Sequence, residues 1–156
     1  MHIGLMISAA ALAVAPAAMA QKADWRNAGA IGTGDAAALF MVDASSVTVV
    51  SGDVRQVLTA THFAQPRQFD SGVRYTAIRI AYNFDCRANT FQAQNANVWD
   101  GEKLVLSGGS PRAVNPVNAD SPVAAVARAV CSGNFAALPR IRAATPNLEG
   151  LAHFGQ

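Results

Sequence analysis

The stretch "RYTAIRIAYNFDC", residues 74–86, decides the fold. Apolar and polar residues alternate along it. Ile78, Ile80, Tyr82, Phe84 and Cys86 fall on one face, and Arg79, Asn83 and Asp85 fall on the other. That period of two marks a strand with one buried face. It places the Cys86 thiol on the inward side, where an element covering the sheet can reach it. The only other cysteine, Cys131, lies in "ARAVCSGN" at 127–134.

Around Cys131 the period changes. Ser121 can cap a helix, and Pro122 suits its first position. Val123, Val126 or Ala127, and Val130 then recur at helical spacing, and Gly133 can end the helix. Arg128 is its only charge. A short helix this apolar must lie against something. The face carrying Cys86 is the natural partner, with a disulfide pinning helix to strand.

Other segments read as strands. "ALFMVD" (38–43) is apolar, and "SSVTVVSGD" (45–53) is β-branched and ends on a turn signal. "VRQVLTATHF" (54–63) carries apolar residues on both parities, as a strand covered on both faces would. "NTFQAQNANVWD" (89–100) is amide-rich and suits a strand nearer solvent. With "WDGEKLVLS" (99–107) it makes a hairpin about Asp100-Gly101. "AQPRQFDSG" (64–72) and "GGSPRAVNPVNAD" (108–120) read as loops by composition. The expectation is an α+β fold: a small antiparallel β-sheet, a short C-terminal helix packed on one face, and one disulfide. Residues 133–156 carry two prolines and read as a tail.

Residues 1–20 read as a signal peptide. "IGLMISAAALAVAP" (3–16) is uncharged and apolar, and "AMA" at 18–20 has the small–x–small pattern of a cleavage site. The rival, an uncleaved anchor, would need an apolar core of about 20 residues, and this one is shorter. No cysteine follows it, so it is not a lipoprotein signal. The expected division is a signal peptide at 1–20, the α+β domain at 21–132 and the tail at 133–156. Export places the two cysteines in an oxidising compartment, where a Cys86–Cys131 disulfide persists. A reactive thiol would want electropositive surroundings, and Asp85 opposes Arg87 beside Cys86.

The formal net charge is +2, with the charges scattered. A nucleic-acid partner would want a clustered basic face, so none is expected. No second apolar span follows residue 20, so the mature chain has no membrane span. His62 and His153 are the only histidines after residue 20. A metal site wants three or four convergent ligands, so no metal is expected, and no cofactor. There is no Gly-x-Ser-x-Gly elbow and no phosphate loop. No constellation of catalytic roles appears, so no catalytic residue is assigned.

The order of these features resembles the surface-adhesin protein E-like family of proteobacterial envelope proteins. The resembling parts run over 25–132. They are Trp25, an apolar strand ending at Asp43, and "ASSVTVVSGD" at 44–53. The alternating strand ending Asp85-Cys86-Arg87 follows, then Trp99 to Gly101, a proline-containing segment, and a helix closing on Cys131. The resemblance implies a small antiparallel sheet with a C-terminal helix tied to it by the disulfide. For the member that names the family, it implies adhesion to host extracellular matrix and serum proteins. No ligand-contact residue carries over, and the tail has no counterpart.

The expected function is an exported, non-enzymatic protein-binding domain of the bacterial envelope, with a host matrix or envelope protein as partner. The alternative is a periplasmic structural or stress-related protein of unknown ligand. Trp99, Tyr75 and Arg79 form the candidate binding face, since aromatic and arginine side chains anchor interfaces. An uncovered sheet edge could also accept a partner strand.

Overall fold

The structure is a computed structural model, and it describes residues 22–109 and 111–155. The expected signal peptide at 1–20 lies outside the described residues. Among the described residues eight strands form one antiparallel sheet. They are β1 (Trp25–Ile31), β2 (Ala38–Asp43), β3 (Thr48–Ser51), β4 (Val54–Gln68), β5 (Arg74–Asp85), β6 (Thr90–Asp100), β7 (Lys103–Gly108) and β8 (Asn115–Pro116). The spatial order is β1-β2-β4-β5-β6-β7. β3 pairs with residues 54–56 of β4, and β8 with residues 90–91 of β6. From β4 to β7 the path is thus a meander, while β2 and β3 share one edge of β4 and β8 returns to β6.

Among the described residues two α-helices flank the sheet. α1 (Pro122–Ser132) packs over β1, β4 and β5. Its cap is the expected one, with the Ala124 N–H donating to the Ser121 hydroxyl and Gly133 left-handed at φ 69. Val126, Ala129 and Val130 bury against Phe40, Val42, Val57 and Phe84. Cys86 and Cys131 are bonded, joining the end of β5 to the last turn of α1. Tyr82 packs against this cluster. Burial pushes its hydroxyl above the ordinary value of 10.0, because a phenolate would lose hydration there.

α2 (Pro146–Phe154) lies on the opposite face, against β2 and β4. Leu39, Met41 and Ala60 turn to that face, where Phe154 and Ile141 cover them. β2 is therefore buried along its whole length, and β4 is covered on both faces as its sequence suggested. Close approach of α2 depends on Gly150. A Cβ there would fall on ring carbons of His62, which is fully buried.

The 133–156 segment does more than trail. Asn27 N–H donates to the Pro139 carbonyl (2.8 Å), and Ile141 N–H donates to the Trp25 carbonyl (3.1 Å). This stretch therefore covers the outer edge of β1, where an exposed ladder would otherwise invite pairing. Arg26 fastens it, donating to the Leu138 carbonyl and to Asp24. The Arg26 hydrogen bond is the main reason Asp24 lies below its ordinary value of 3.8, with the charges of Arg26 and Arg140 assisting against burial.

A carboxylate with a depressed folded-state value stabilises the fold above its unfolded-state value. That stabilisation disappears as pH falls through the folded-state value. The pair is partly solvated, so its worth is below about 1 kcal/mol. Urea midpoints of wild type and Asp24→Asn should differ near neutral pH and converge as pH falls below the ordinary carboxylate range, through the lowered folded-state value.

Two expected loops differ. β4 runs to Gln68 through the proline-containing stretch, because its register with β5 shifts between His62 and Arg67. Pro66 sits inside that irregularity, where a missing N–H costs no ladder bond. Within 108–120, Asn115–Pro116 forms a two-residue strand.

Candidate protein-binding surface

The alternation in β5 holds, but α1 covers only part of its inward face. An eleven-residue helix is about 17 Å long, while a twelve-residue strand spans about 40 Å. α1 therefore reaches Tyr82 and Phe84 and leaves Ile78 and Ile80 half-buried. Those two residues, with Val98 and Leu106, line an open groove of about 530 Å³. Phe69 and Arg112 also line it. β6 contributes a bulge there: Ile80 pairs with Ala96 but Tyr82 with Ala93. Gln94 and Asn95, two residues opposite the single Ala81, line the groove.

The expected hairpin forms β6 and β7, with Asp100 opposite Lys103. Gly101 starts the turn at φ 57, a region that glycine enters without strain. Among the described residues nothing pairs with the outer edge of β7. Leu104 and Leu106 on that strand are 47% and 52% exposed. This is the longer of the sheet's open stretches, since the outer edge of β1 is covered and β3 has four residues.

The structure brings two of the three expected face residues together. Register aligns Met41, Ala60, Arg79, Asn97 and Ser107 in one row on the α2 side of the sheet. The Arg79 guanidinium carbon lies 4.2 Å from the Trp99 ring centroid and 6.0 Å from that of Trp25. Arg79 Nε and Trp99 Nε1 are buried without a hydrogen-bond partner. Burial pulls Arg79 below the ordinary arginine value, while the charge of Glu102 acts the other way.

Tyr75 is elsewhere. Its ring stacks on Phe69 at 4.5 Å and meets Phe63 edge-on at 5.7 Å, so it buttresses the end of the groove through Phe69. The groove itself escaped the sequence reading. Alternation shows which side of a strand faces inward, not how far a helix extends over it.

The histidines are apart. His62 is buried beneath α2, and His153 is exposed on α2. Among the described residues no group of three histidine, cysteine or acidic side chains converges as a metal site.

A family model, surface-adhesin protein E, matches residues 25–132. The chain belongs to the surface-adhesin protein E family. The match begins at the first residue of β1 and ends at the last residue of α1. It therefore takes in the whole sheet, the covering helix and both cysteines. The edge-covering strap and α2 follow it in this member of the surface-adhesin protein E family. No curated protein matches the chain. No helix among the described residues is long and apolar enough to cross a membrane.

Proposed function

We propose that the chain is an exported, non-enzymatic protein-binding domain of the bacterial envelope, with a host matrix or envelope protein as its partner. Membership of an adhesin family supports a binding rather than a catalytic role. The Cys86–Cys131 bridge fits an oxidising compartment. The observation that carries the reading is the β6–β7 hairpin. It has an open edge, exposed Leu104 and Leu106, and an apolar groove beside it. An open edge supplies main-chain hydrogen bonds to a partner strand, and a neighbouring groove takes its side chains. Tyr75 supports the groove, and Trp99 and Arg79 face the partner from the other side of the hairpin.

Protease shaving of intact cells tests the placement, with lysed cells as control and mass spectrometry following the chain from residue 21. Cleavage in intact cells sets the domain at the surface and favours a host-facing partner. Protection in intact cells, with cleavage after lysis, removes host adhesion and leaves a partner inside the envelope.

A further inference from the structure

We infer that Arg79, seated on Trp99, is the receptor for an acidic side chain of the partner protein; the inference rests on the protein-binding reading. Arg79 is half-buried, and none of the ion pairs among the described residues includes it. Stacking on an indole offsets only part of the cost of desolvating a cation. The nearby acid, Glu102, accepts the Thr145 hydroxyl at 3.0 Å instead. The guanidinium is therefore held in place with Glu102 acting on it only through its charge and, among the described residues, no carboxylate in ion-pair contact.

The row around it is arranged to donate. Asn97 stands beside Arg79 in register, and its Oδ1 accepts the Ser107 hydroxyl at 2.6 Å. That bond fixes the amide and leaves its N–H groups as donors next to the guanidinium. A planar fork stacked on an indole suits one carboxylate, bound through paired N–H groups. A phosphate-rich partner would ask for a cluster of cations, and this row holds one. Ser107 ends the row on β7, about 10 Å from Arg79 by strand spacing, so the partner's acidic side chain reaches the guanidinium over the α2-side face of the hairpin, beyond the open edge and its groove.

The probe is a doubly capped pentapeptide alternating leucine and glutamate, with a glutamine counterpart, titrated into the disulfide-bonded mature chain. The Trp99 indole N–H signal is followed by NMR and assigned with Trp99→Phe. The glutamate peptide is expected to bind about tenfold more tightly than the glutamine one, as a charge-assisted hydrogen bond implies, and to shift that signal. Arg79→Gln should abolish the difference, and Arg128→Gln, on the exposed side of α1, should keep it. Arg79→Lys keeps the charge without the fork and should lose most of the preference; it also serves if the glutamine variant fails to fold.

Equal binding of the two peptides to wild type overturns the carboxylate receptor while the hairpin stands as a binding edge. An unchanged preference in either Arg79 variant also overturns the receptor. Binding of neither peptide overturns both the receptor and the edge.

Discussion

Breaking the Cys86–Cys131 bridge is expected to lower the melting temperature by about 10 °C, on the scaling for a domain of this size. The two residues are 45 positions apart. Closing a loop of that length removes roughly 4 kcal/mol of chain entropy from the unfolded state. Total stabilities of such domains are about 5–15 kcal/mol, so the bridge is a large share. The effect should lie mostly in the unfolded state. Cys131 is exposed and Cys86 half-buried, so free thiols disturb little packing, and Val126 and Val130 still hold α1 to the sheet.

Two readouts follow. The paired replacement Cys86→Ala with Cys131→Ala should melt near the reduced protein. The urea m-value of the reduced protein should rise, because its unfolded chain exposes more surface. An unchanged melting curve after complete reduction would refute this account.

Gly150→Ala is expected to destabilise the fold by about 2 kcal/mol, within the usual range for overpacking. Helix propensity alone predicts the opposite sign, since alanine is favoured over glycine inside a helix by about 1 kcal/mol. Contact decides. The new Cβ would overlap the ring of His62, which is fully buried under α2. α2 has nine residues, too few to persist once lifted from the sheet.

Amide exchange of 146–154 should therefore accelerate before the rest of the fold is affected, and trypsin should gain access after Arg142. A double-mutant cycle isolates the cause. In a His62→Ala background the cost of Gly150→Ala should fall only in part, because the ring carbons are gone while the His62 Cβ, which also overlaps, remains. A Gly150→Ala protein as stable as wild type would remove the close packing from the account.

α1 and α2 show what a sequence makes visible. Both start on a hydroxyl cap followed by proline, Ser121-Pro122 and Thr145-Pro146, and both end on a left-handed glycine. α1 was legible because five of its residues form a continuous apolar stripe. α2 was not, because it docks through the smallness of Gly150 and through specific polar bonds. Asn147 Nδ2 donates to the Gly101 carbonyl at 2.7 Å, and the Thr145 hydroxyl donates to Glu102. Hydrophobic periodicity carries no record of such contacts. The capping signature was the available signal. The strap at 139–141 left less trace still, since its bonds to β1 are between backbones.

By itself, the sequence determined the strand alternation of β5, the hairpin about Gly101, the ends of α1 and the pairing of the two cysteines. Each follows from local stereochemistry or from having a single partner available. Only the tertiary structure decided that Ile78 and Ile80 lie beyond the reach of α1, that Arg79 settles on Trp99, and that α2 closes on His62. Alternation names the face a side chain occupies. What meets that face depends on strand register and helix length, which bring together residues such as Met41, Ala60, Arg79 and Asn97 from four separate strands.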